Sequence, residues 1–117
     1  MPTATKRRSP CPIACTLDLL GDKWSLLVLR DLFAGKSHYR ELASSPEKIA
    51  TNILADRLER LRAHGLIKAR PSPVRAGSHA YSLTEKGVSL RPVLEAVRDW
   101  GLNNIKGTEA RVEVPDS

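Results

Sequence analysis

The chain has 117 residues, a net charge of +6 and a sequence pI near 9.7, with 41% apolar and 27% charged residues. That composition fits one folded domain and excludes a disordered chain, a disulfide framework and a four-cysteine zinc site, since only two cysteines are present. No stretch is long and apolar enough to span a bilayer, and the basic balance points to an anionic partner such as nucleic acid.

Residues 1–10 read as a basic flexible tail. Lys6, Arg7 and Arg8 are followed by Pro10 and Pro12 rather than by an apolar run, which argues against a secretory leader and for a cytoplasmic protein. The first helix is predicted to start at Cys11 and Pro12, because proline suits the first helical position. Ile13, Leu17 and Leu20 keep helical spacing, and Gly21 and Asp22 end it. A second helix is expected from about Lys23 to Phe33. Its apolar stripe (Trp24, Leu27, Val28 and Phe33, widened by Leu26, Leu29 and Leu32) is broad enough for a helix at the centre of the domain.

Ser37 is placed to cap a short third helix, His38 to about Ser44, with Tyr39 and Leu42 inward. Ser45 and Pro46 make a turn. A fourth helix follows from about Ala50 to His64, with Leu54, Leu58 and Leu61 on one face and Gly65 as a left-handed stop. Leu66–Arg70 and His79–Leu83 read as a β-hairpin, joined by a loop that holds Pro71, Pro73, Arg75 and Gly77. Thr84 can cap the last helix, in which Leu90, Val93, Leu94, Val97 and Trp100 form an apolar stripe. Pro92 either kinks that helix or restarts it.

This order, mainly α with a small β-hairpin, describes a winged helix-turn-helix. The fourth helix would enter the major groove of duplex DNA and the hairpin loop would lie over the backbone or minor groove. Ser37, Thr51, Asn52, Arg57 and Arg75 are the candidate DNA contacts, with Arg57 the first choice for guanine or phosphate and Asn52 suited to adenine. A solvated charged helix face, or a winged helix that serves protein or RNA, remains the competing reading. His38, His64 and His79 show no ligand spacing, so no metal or cofactor is expected. Without a phosphate loop, nucleophile elbow or catalytic carboxylate pair, neither is enzymatic activity. A thiol-dependent enzyme using Cys11 would lack a general base.

The chain resembles the HxlR-type family of bacterial winged helix regulators, relatives of MarR regulators. The matching stretches include Cys11-Pro12-Ile13-Ala14, Leu17-Asp18-Leu19-Leu20-Gly21-Asp22-Lys23-Trp24, Leu29-Arg30-Asp31-Leu32, Leu54-Ala55-Asp56-Arg57-Leu58, Gly65-Leu66-Ile67 and Tyr81-Ser82-Leu83-Thr84-Glu85-Lys86-Gly87. It departs at His38, where the family often has Arg, and at Ala50, where it often has Ser. The resemblance implies a domain over residues 11–109, with 110–117 a flexible tail. It also implies a repressor-like homodimer joined by the first and last helices, with Ile13, Leu17, Leu94, Val97 and Trp100 at the interface. The partner would be an operator with two half-sites, and the signal a small-molecule effector or an oxidant. Some family members sense oxidants through an N-terminal cysteine, and Cys11 falls at that position, where the helix dipole favours the thiolate. Cys15 follows one turn later; both can equally be packing residues.

Overall fold

The computed structural model of the chain describes residues 7–114. Its order is α1 (Pro12–Leu20), α2 (Ser25–Phe33), α3 (Tyr39–Ala43), α4 (Thr51–Ala63), β1 (Ile67–Pro71), β2 (His79–Leu83), α5 (Glu85–Val88) and α6 (Arg91–Asn104). The expectation of a mainly helical chain with one hairpin holds: β1 and β2 pair antiparallel from Ile67 opposite Leu83 to Pro71 opposite His79. His38 adds an isolated bridge to Ala80, so the hairpin is stitched to the start of α3. No helix among the described residues is long and apolar enough to cross a membrane.

The core forms where the leucines of α2 and α4 meet. Val28, Leu29 and Leu32 pack with Leu42, Leu54, Leu58, Leu61, Leu66 and Ile67. The stripe on α4 recurs at three- and four-residue intervals, so one helix face is apolar and the opposite face stays in water. Asp31 is buried among these leucines, and Arg30 and Lys36 meet its carboxylate. Arg30 also clasps Glu47 through two bonds of 2.8 and 2.7 Å, tying α2 to the turn between α3 and α4. Those bonds from Arg30 hold the Glu47 carboxyl down to about 2.

Local chemistry sets the boundaries. Pro12 opens α1 after Cys11. Gly65, at φ 76°, lets α4 close through bonds from its own N–H to Arg62 and from the Leu66 N–H to Leu61. Thr84 caps α5 by accepting from the Gly87 N–H, and Pro92 restarts the chain in the first turn of α6 rather than kinking one long helix.

Two expectations are corrected. Helix α2 starts at Ser25, not Lys23: the Asp22 carboxylate accepts from the Trp24 and Ser25 amides, at 3.0 and 3.2 Å, and so fixes where the helix begins. Ser37 does not cap α3. His38 occupies that position, and Glu41 reaches back to the amides of both Ser37 and His38, at 3.1 and 3.0 Å.

Candidate nucleic-acid interface

Helices α3 and α4 with the turn 44–50 form the helix-turn-helix. In the turn, Lys48 adopts a left-handed φ of 59° and its N–H donates to the Ser45 carbonyl. The Tyr39 hydroxyl donates to the Thr51 carbonyl at 2.8 Å, so α3 fixes the leading end of α4. Thr51 and Asn52 stand exposed at that end. Ala50, at the cap position, offers no side-chain acceptor, which leaves the first-turn amides without a local side-chain partner.

The hairpin loop is organised by Ser72. Its hydroxyl accepts from the Val74 and Arg75 amides, both at 3.2 Å, and hydrogen-bonds His38 Nε2 at 3.0 Å. The Ser72 N–H and the Ser78 carbonyl close the loop at 2.9 Å. Arg75 is exposed at its tip, and Lys68 and Arg70 are exposed on β1. A concavity of about 210 Å³ lies between α4 and the hairpin, lined by Ala55, Glu59 and Arg62 from α4, by Tyr39, and by His79 and Tyr81. Helix and wing therefore flank one trough.

The other predicted contacts fall differently. Ser37 is half-buried: its carbonyl accepts from the Tyr81 N–H at 2.8 Å and its hydroxyl hydrogen-bonds His38 Nδ1 at 3.2 Å. It joins α3 to the wing. The Arg57 side chain is only 16% exposed, with Nε donating to Asp22 at 2.7 Å and a second nitrogen held by Asp56. Burial pushes the Asp22 carboxyl up. The bonds from Ser25, Arg57 and the Trp24 amide outweigh it and hold the group well below the usual carboxylate range. From the sequence Asp22 reads as a helix terminator within a family-like stretch, with no role at the site. An acidic residue three positions before Ser25, ahead of an apolar run, was the available signal.

Outside that trough, Ile13, Leu17, Val97 and Trp100 are 71%, 52%, 53% and 63% exposed. Leu94 differs: it is buried within its own chain. With Val97 and Leu27 it lines a cavity of about 380 Å³ between α2, α6 and residues 109–114. Cys11 is exposed at the start of α1; Cys15 is half-buried, its thiol donating to the Ser9 carbonyl at 3.3 Å. Arg8 pairs with Asp18 at 2.6 Å, and Lys6 lies outside the described residues.

Comparison with known proteins agrees with this architecture. A family model described as HxlR-like helix-turn-helix matches residues 19–109. The HTH-type transcriptional regulator sll1512 of a Synechocystis strain is 40% identical over 91 residues, covering 78% of this chain and 67% of that protein. The crystal structure of PA1607 superposes with a TM-score of 0.80 at 38% identity, covering 94% of this chain and 77% of the other. The redox regulator HypR in its reduced form superposes with a TM-score of 0.74 at 28% identity, covering 82% and 95%.

Proposed function

The chain belongs to the HxlR-like helix-turn-helix family of transcriptional regulators, which are not enzymes, and from that premise we propose that it is a cytoplasmic homodimeric repressor that reads duplex DNA through α4. The observation that carries this reading is that two short polar residues, Thr51 and Asn52, stand exposed at the leading end of a helix-turn-helix second helix, in a chain whose hairpin also exposes Lys68, Arg70 and Arg75. Both side chains suit base edges, Asn towards adenine and Thr towards a thymine methyl or a phosphate. Exposed Arg75 at the wing tip suits the backbone, where most protein–DNA hydrogen bonds fall. Ser37 supports the site from behind. Repression is steric: a dimer on two half-sites, roughly 34–36 Å apart, occludes the promoter.

Binding to the DNA upstream of the protein's own gene, followed by fluorescence anisotropy, tests this. Thr51→Ala and Asn52→Ala should each weaken specific binding by about 1–3 kcal/mol, with non-specific binding unchanged. Arg75→Ala should weaken both kinds and reduce the salt slope by about 1. Unchanged specific affinity in the Thr51→Ala, Asn52→Ala double variant would remove α4 from the reading.

A redox response at Cys11 is the second element of the proposal. Exposure of Cys11 at the start of α1, on a helix that also presents Ile13 and Leu17, supports it, as does the similarity to the redox regulator HypR. Cys15, held by the Ser9 carbonyl, is the less accessible thiol. An i, i+4 disulfide within a regular helix is strained, so oxidation should link Cys11 across subunits or to a small thiol. After mild peroxide or quinone treatment, mass spectrometry should find Cys11 modified before Cys15, and Cys11→Ser should abolish any change in DNA affinity. An unmodified Cys11 sinks this element alone.

A further inference from the structure

We propose that Asp22 is a positioning residue for DNA reading, which sets the pitch of α4 through Arg57. The inference rests on α4 being the reading helix. Asp22 sits in the short connection between α1 and α2, outside the helix-turn-helix itself. Its carboxylate accepts from four donors: the Trp24 amide, the Ser25 amide, the Ser25 hydroxyl and Arg57 Nε. Ser25 is buried, so one end of this network is anchored in the core. Asp22 and Arg57 are themselves largely shielded, with side chains 22% and 16% exposed.

The geometry explains why a single ion pair matters. Beside the single bond from the Tyr39 hydroxyl to the Thr51 carbonyl, the leucines of α4 hold it to the core by apolar contact, which is non-directional and tolerates small slides and tilts. A charge-assisted hydrogen bond is short and directional and does not. Arg57 lies six residues beyond Thr51, about 9 Å along the helix axis. A tilt of about 5° about the Ala63 end of α4, about 18 Å from Thr51, would swing Thr51 by about 1.6 Å and displace Arg57 from Asp22 by about 0.8 Å. Hydrogen bonds to base edges do not survive such a displacement, whereas attraction to phosphates changes little over it. The pair should thus control specificity more than general affinity. It also accounts for Arg57 being turned away from solvent: its guanidinium is occupied by Asp22 and by Asp56 of its own helix.

The test is Asp22→Asn beside Arg57→Ala, on operator and on random duplex. Asparagine keeps one oxygen to accept from the Trp24 and Ser25 amides and from Arg57 Nε, but removes the charge that makes the Arg57 bond charge-assisted. We expect Asp22→Asn to lower specific affinity about tenfold, with non-specific affinity and salt slope unchanged and the melting temperature within a few degrees of the parent. Arg57→Ala should give a similar loss, and the double variant no more than either single one. If Asp22→Asn binds the operator normally while Arg57→Ala loses affinity and about one unit of salt slope, Arg57 is a direct contact and the proposal fails. Parallel loss of both kinds of binding with a large fall in melting temperature also overturns it, since the pair would then only hold the fold. Thr51→Ala with Asn52→Ala separates the two levels. A specificity loss there beside a normal Asp22→Asn sinks the positioning role alone; no loss there sinks both.

Discussion

Gly87→Ala should lower folding stability by about 3 kcal/mol, towards the upper end for an overpacked site. A Cβ on Gly87 would stand 2.1 Å from the Leu66 carbonyl oxygen and 3.1 Å from Leu83 Cδ2. Backbone is the obstacle, and that carbonyl has little room to retreat because it also accepts from the Thr84 N–H at 3.1 Å. Leu66 is further held by the bond from its own N–H that closes α4. Relief requires α5 to lift away, and α5 docks the end of α4: the Thr84 hydroxyl donates to the Gly65 carbonyl, and Lys86 Nζ to the His64 carbonyl at 3.0 Å. Alanine gains at most about 1 kcal/mol over glycine in helix propensity, so the clash wins. Urea unfolding at matched protomer concentration should show a lower midpoint with an unchanged slope. A shift under about 0.5 kcal/mol would mean that the contact between α5 and Leu66 relaxes freely.

Gly87 also illustrates what the sequence makes legible. The run Thr84-Glu85-Lys86-Gly87 stands out as a motif, yet its reason is a close approach to a residue far earlier in the chain, which no local pattern reveals. Features decided within one or two turns are readable: Pro12 opening α1, Gly65 closing α4, and β2 from His79 to Leu83; Thr84 reads as the cap of the last helix but caps only the short α5, and α6 begins anew at Arg91. Features decided across the fold are not. Arg57 looks like a solvent-facing cation because its partner Asp22 is 35 positions away. Ser37 looks like a cap because the reach of Glu41 and the bridge from His38 to Ala80 depend on tertiary placement. In α6 the periodicity shows an apolar stripe but not which part faces home: Leu94 is buried in its own chain, while Val97 and Trp100 face outward.

That outward stripe makes Trp100→Glu the variant with the largest expected effect on DNA binding: it should turn the proposed dimer into a folded monomer and weaken operator binding at least 100-fold. A tryptophan presents about 150–250 Å² for burial. More than half of Trp100 is exposed in the single chain, so an interface covering it would remove about 100–150 Å² per subunit from water. At about 25 cal/mol per Å² that is about 3 kcal/mol per subunit, and a two-fold axis counts it twice. Glutamate forfeits this and adds two carboxylates to the proposed interface, to which the exposed Val97 and, from α1, Ile13 and Leu17 are also assigned. The fold of each chain should survive, because Trp100 is absent from the buried core that contains Leu29, Leu54 and Leu61. DNA binding should not survive at its former strength. In a dimer the second reading helix meets its half-site at an effective concentration near the millimolar range, and severing that link costs about 10²–10⁴ in affinity. Sedimentation and anisotropy on the same samples check both halves. A variant that still sediments as a dimer would move the interface away from α6. A folded monomer that binds the operator within about threefold of the parent would show that one α4 and one wing are enough.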